Sequence, residues 1–135
     1  MVSGRGLGEN ARAALITRGL AELARLGAAL GARRETLMGL AGLGDLILTA
    51  ASLTSRNMAF GHAIGQGADP QALQARPGAL VEGAFTAAAV MRLAERHAVE
   101  VPICAAVDAI LADRLDIATA LESLMSRPIR MEAEA

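Results

Sequence analysis

Lysine, tryptophan and tyrosine are absent from this chain, and phenylalanine occurs only at Phe60 and Phe85. All thirteen basic residues are therefore arginine. A guanidinium does not release its proton near neutrality, so no step that needs an amine base can be served from within these residues. Were a lysine base needed, it would have to come from elsewhere. With so few aromatics, the 53% hydrophobic content must form an aliphatic core of Leu, Ile, Val, Met and many Ala. That favours close-packed helices over a sandwich, where β-branched and aromatic residues are enriched. A single cysteine, Cys104, excludes an intrachain disulfide. Its neighbours Ile103, Ala105 and Ala106 suit a buried structural thiol, and a reducing cytoplasm is the matching compartment.

Charge of one sign is lacking too. Thirteen arginines against fourteen acids leave a net charge of −1, without the clustered basic surface that nucleic acid requires. Long apolar runs are also missing. Residues 37–53 are too short for a membrane span and are interrupted by Gly39, Gly42, Gly44 and Asp45. No sustained apolar segment follows Met1, so a signal peptide is not expected. At 135 residues the chain suffices for one domain that buries roughly two-thirds of its unfolded surface.

What is present reads as helix throughout. Leu15, Ile16, Leu20, Leu23, Leu26 and Leu30 recur at three to four residues, and Arg18, Glu22 and Arg25 share another face. This predicts an amphipathic helix over residues 9–30, ended by Gly31. Residues 37–52 read as a helical pair or one glycine-punctuated helix whose small residues admit another backbone. Ser55 can cap a helix to about Ile64, closed at Gly65-Gln66-Gly67, and Asp69-Pro70 opens a short one. Further helices are predicted over residues 83–97, from Pro102, and from an Asp116 cap to Pro128, with a polar, frayed tail at residues 132–135. The expectation is an all-α domain of six to eight helices.

Two places carry candidate chemistry. Asp45 stands inside an apolar run, where an unpaired buried carboxylate costs several kcal/mol, so a polar partner is expected; the plain alternative is a helix cap. Thr49, four residues on, lies on the same helical face and can join that network. Ser55, Arg56 and Asn57 open a helix. A hydroxyl, a guanidinium and free N–H groups there suit a phosphate monoester, although a solvated first turn is the plainer reading of these three residues alone. Glu82 suits a helix start through the dipole. The glycines of GLAGLG follow no strand and are not a dinucleotide fingerprint. His62 and His97 lack partners at metal-ligand spacing, and no metal is expected.

The run GLAGLGDLILT followed by SRN and FG, preceded by ENARAALITRGLAE and followed by VEGAFTA and SRPIRME, resembles the C-terminal domain of bacterial NAD(P)-dependent sn-glycerol-3-phosphate dehydrogenase. The resemblance covers nearly the whole chain. It implies an all-α fold like the C-terminal domain of 6-phosphogluconate dehydrogenase. It further implies that Asp45 meets the glycerol end of the substrate, with Thr49 nearby, and that Ser55, Arg56 and Asn57 bind substrate. Arg56, Leu80 and Glu82 approach the NAD or NADP cofactor by the same resemblance, and Thr17 and Arg18 match its ITRG. Where the family more often has a second arginine, this chain has Met58. A preceding Rossmann domain and a lysine base upstream of Met1 are implied, so the catalytic base lies outside residues 1–135.

The reading is thus a substrate-binding domain, inactive alone, of a cytoplasmic oxidoreductase of phospholipid synthesis, acting on a small phosphate substrate and expected as a homodimer. Two alternatives stand beside it. One is the second domain of a ketopantoate or 6-phosphogluconate type dehydrogenase. The other is a non-catalytic helical interaction module.

Overall fold

The computed structural model describes residues 1–78 and 81–128. Among these there are eight α-helices and one π-helical turn. The helices are α1 (Gly8–Ala29), α2 (Arg34–Met38), α3 (Asp45–Ala51), α4 (Arg56–Gly65), α5 (Pro70–Gln74), α6 (Glu82–Arg96), α7 (Pro102–Leu111) and α8 (Ile117–Ser126). The π-helical turn, Leu40–Gly44, lies between α2 and α3. The expected tail at residues 132–135 lies outside the described residues.

Most boundaries follow from the local signals. Ser55 caps α4, its Oγ accepting from Met58 N at 3.3 Å. Asp69 caps α5 by accepting from the N–H groups of Gln71 and Ala72, with Pro70 at the first position. Asp116 caps α8 by accepting from Thr119 N at 3.0 Å, and bonds with Thr119 hold its carboxyl below the usual range. Glycines at positive φ, Gly31 and Gly67, close α1 and α4. Ala98 and Asp113 make the same left-handed closure after α6 and α7 without glycine, which residue type does not announce.

The glycine-punctuated segment resolves into α2, the π-helical turn and α3. Gly42 is the close approach: a Cβ there would stand 2.6 Å from the Leu37 carbonyl carbon and 2.8 Å from its Cα. Backbone cannot yield as a side-chain tip can. Gly42→Ala is therefore expected to destabilise the fold by about 1–3 kcal/mol. At Gly39, where the nearest atom lies at 3.4 Å, alanine is expected to be mild. Urea midpoints of the two variants check this; equal midpoints would refute the close approach.

The packed centre involves α1, α6, α7 and α8, with α6 lying along α7. It is aliphatic, as expected, with Ile64, Val81, Val101, Ile117 and Leu124 buried among small residues such as Ala94 and Ala120. One charged side chain enters it. Glu22, placed by periodicity on a polar face, is only 3% exposed. Its carboxylate accepts from Ile103 N at 2.5 Å and Cys104 N at 3.2 Å, so it caps α7 from across the bundle. Pro102 occupies the first position of α7 and needs no acceptor. Desolvation holds the Glu22 carboxyl above its ordinary range, with the two N–H bonds opposing. Cys104 is half-buried rather than buried; desolvation first, then neighbouring Glu22, pushes its thiol up to about 11. It is thus a poor nucleophile, in keeping with a structural role.

Arg25 donates to the Glu100 carbonyl from Nε and a terminal nitrogen, and Arg18 to the Arg127 carbonyl at 2.9 Å. These bonds tie α1 to the start of α7 and the end of α8. Thr17 is spent locally, donating to the Ala13 carbonyl.

Candidate functional site

Helices α3, α4 and α6 meet beside an apolar cavity of about 370 Å³, to which they contribute Leu46 and Ala50, Asn57 and Met58, and Gly83 and Ala84 respectively. The starts of α4 and α6 are joined by one bond. Gly83 N donates to Asn57 Oδ1 at 3.1 Å. This brings the Ser55-Arg56-Asn57 turn against Glu82-Gly83, which sequence places 26 residues apart.

The chemistry available there is that of two helix N-termini. With Met58 N bound to Ser55 Oγ, the N–H groups of Arg56 and Asn57 have no intrahelical acceptor, as at any helix start. The Arg56 guanidinium is exposed and makes no ion pair among the described residues. Asn57 spends its oxygen on Gly83, which leaves Nδ2 with two donors. Donors and a positive charge at two neighbouring helix N-termini are elements from which an anion site can be built. Val81, buried at 8% exposure, anchors the start of α6, while Glu82 beside it is exposed. Leu80 lies outside the described residues.

Asp45 requires a correction. Its carboxylate is exposed, so the penalty expected for burial does not arise, and it makes no hydrogen bond or ion pair among the described residues. Nor does it cap α3. The π-helical turn runs directly into that helix with Gly44 and Asp45 both helical, so the first-turn N–H groups are not orphaned. Thr49 donates to the Asp45 main-chain carbonyl at 2.8 Å, not to its carboxylate. Around Asp45 the surface is unusually apolar, with Leu40 at 91% and Leu48 at 68% exposure and Ile47 and Leu53 also exposed. Periodicity had no means of showing that this face stays open.

No three His, Cys, Asp or Glu side chains cluster among the described residues, and no helix there is long and apolar enough to cross a membrane.

An all-helical domain with no dinucleotide-binding unit among its described residues is the kind of second domain that some dehydrogenases carry. The family model described as NAD-dependent glycerol-3-phosphate dehydrogenase C-terminus matches residues 1–122. The chain belongs to that family. It is 57% identical over 98% of its length to glycerol-3-phosphate dehydrogenase (NAD(P)+) of Rhodospirillum rubrum, and spans 38% of that protein. For the Agrobacterium fabrum protein of the same name the identity is 52%, again over 98% of the chain, with 39% of the relative spanned. The crystal structure of glycerol-3-phosphate dehydrogenase from Coxiella burnetii superposes with a TM-score of 0.88 at 47% identity, covering 93% of this chain and 39% of that one. The chain thus spans about two-fifths of the relatives it matches.

Proposed function

We propose that this chain is the substrate-binding domain of an oxidoreductase that interconverts sn-glycerol 3-phosphate and dihydroxyacetone phosphate with NAD(P)(H), in glycerophospholipid synthesis in the cytoplasm. The observation that carries this is the Asn57–Gly83 bond, which sets two helix N-termini side by side next to the Arg56 guanidinium. Ser55, Arg56 and Asn57 take the substrate phosphate, Arg56 by paired charge-assisted bonds. Asp45, exposed and without a partner among the described residues, accepts from the glycerol hydroxyls, with Thr49 holding the turn of α3 that carries it. Acceptors for hydroxyls and donors for phosphate are the complementary sets that a polyol phosphate needs.

The donor set also fits the outer edge of a nicotinamide cofactor. Arg56 and Glu82 are assigned to that cofactor, and Leu80 is assigned to it by the family resemblance alone. When bound, that cofactor accepts or donates the hydride. The proton of the reacting hydroxyl goes to a lysine outside these residues, since a chain with arginine alone has no neutral amine to receive it. The exposed Leu40, Ile47, Leu48 and Leu53 suit docking of a Rossmann domain over the site, because open apolar patches of this kind usually find a partner. A homodimer is proposed on the same ground.

The 135 residues alone are expected to show no turnover of NAD(P)H with dihydroxyacetone phosphate, whereas a full-length dehydrogenase carrying this chain as its C-terminal domain turns over. Absorbance of the reduced cofactor at high protein concentration is the measurement. Steady turnover by the chain alone would overturn the division of labour.

A further inference from the structure

The Gly83 N–H donates to Asn57 Oδ1 at 3.1 Å. A Cβ built on Gly83 would stand 2.6 Å from that same oxygen, 3.0 Å from Asn57 Cγ and 3.3 Å from Nδ2. The three nearest atoms thus belong to one side-chain amide. Gly83 is not among the glycines at positive φ, so backbone conformation does not call for glycine. Gly83 is the second residue of α6, where helix geometry has no special need of glycine either. The Asn57 amide is what crowds position 83 most closely.

The two ends of that amide are chemically opposite, the oxygen accepting and the nitrogen donating. Which end faces outward decides whether Asn57 attracts or repels an anion. We propose that Gly83 is a positioning residue for the anion site. By lacking a side chain and offering its N–H, it holds the Asn57 amide in the orientation that leaves both Nδ2 protons for the substrate phosphate. The inference rests on the phosphate reading above and adds to it a residue that touches no substrate. A methyl at position 83 displaces only the end of a short exposed side chain, so binding suffers while the fold does not.

The test is a double-mutant cycle in a full-length dehydrogenase carrying this chain, with Gly83→Ala, Asn57→Ala and both together. Gly83→Ala is expected to keep or raise Tm yet to raise KM for dihydroxyacetone phosphate about tenfold, the weight of one hydrogen bond to a charged group, with a smaller change in kcat. In the Asn57→Ala background, Gly83→Ala is expected to add nothing. Hydrogen exchange at the Gly83 N–H is expected to quicken when Asn57 becomes alanine. Multiplying effects in the double variant, or unchanged exchange, would overturn the positioning role. A raised KM in Asn57→Ala with none in Gly83→Ala would overturn it alone and leave the phosphate reading standing. An unchanged KM in Asn57→Ala would remove the positioning role together with the assignment of Asn57 to the phosphate.

Discussion

Arg56→Ala in the full-length dehydrogenase is expected to lower kcat/KM by about 2–4 kcal/mol, the scale for losing a paired charge-assisted contact to a phosphate. Ser55 and Asn57 contribute neutral donors at the same helix start, so Arg56 is the charge whose removal leaves the phosphate poorly compensated. Arg56→Lys is expected to recover only part, because an ammonium restores charge but not the planar fork. The local field makes the loss more visible, since Met58 adds no second charge to this turn. Stability should not move: Arg56 is exposed and holds nothing in place among the described residues. Steady-state kinetics beside thermal melts give both readouts. Equal kcat/KM for wild type and Arg56→Ala would return the Ser55-Arg56-Asn57 turn to a solvated helix start. Asp45→Asn offers a companion measurement, with turnover expected to fall while folding is kept, since its carboxylate supports no described contact.

The largest stability effect is expected at Glu22. Glu22→Ala strips the acceptor from two N–H groups at the half-buried start of α7 and leaves a cavity where the carboxylate stood. The expected loss is about 2–4 kcal/mol. Glu22→Gln is expected to cost less, because the amide oxygen still accepts one bond. The pH dependence separates this residue from a plain packing position. Burial raises the folded-state pKa above the ordinary value of 4.5, so in that window the native state holds a proton the unfolded chain has released. The proton-linked part of the Glu22 contribution is therefore fully present below 4.5 and is lost as pH rises through the raised folded value, while the two accepted N–H bonds remain. Denaturant midpoints across that range are expected to show this slope in wild type and a flatter one in Glu22→Gln. An unchanged slope would mean that Glu22 titrates alike in both states.

The sequence by itself determined the features whose physics is local. A cap needs an acceptor within three residues of the N–H it serves, so Ser55, Asp69 and Asp116 declared the starts of α4, α5 and α8. The three-to-four-residue apolar spacing declared α1 in the same way, and the absence of lysine excluded a lysine side chain as base among these residues whatever the fold. Tertiary structure decided what depends on packing between helices. Glu22 had the same polar signature as Arg18 and Arg25, and only the approach of α7, 81 residues away, turned it from a surface residue into a buried cap. Asp45 stood in an apolar run that reads as interior, yet the π-helical turn carries it to an open face. The pairing of Asn57 with Gly83 has no trace in spacing either. Periodicity assigns a face to each residue, but which face is covered, and by what, is set by how the helices pack.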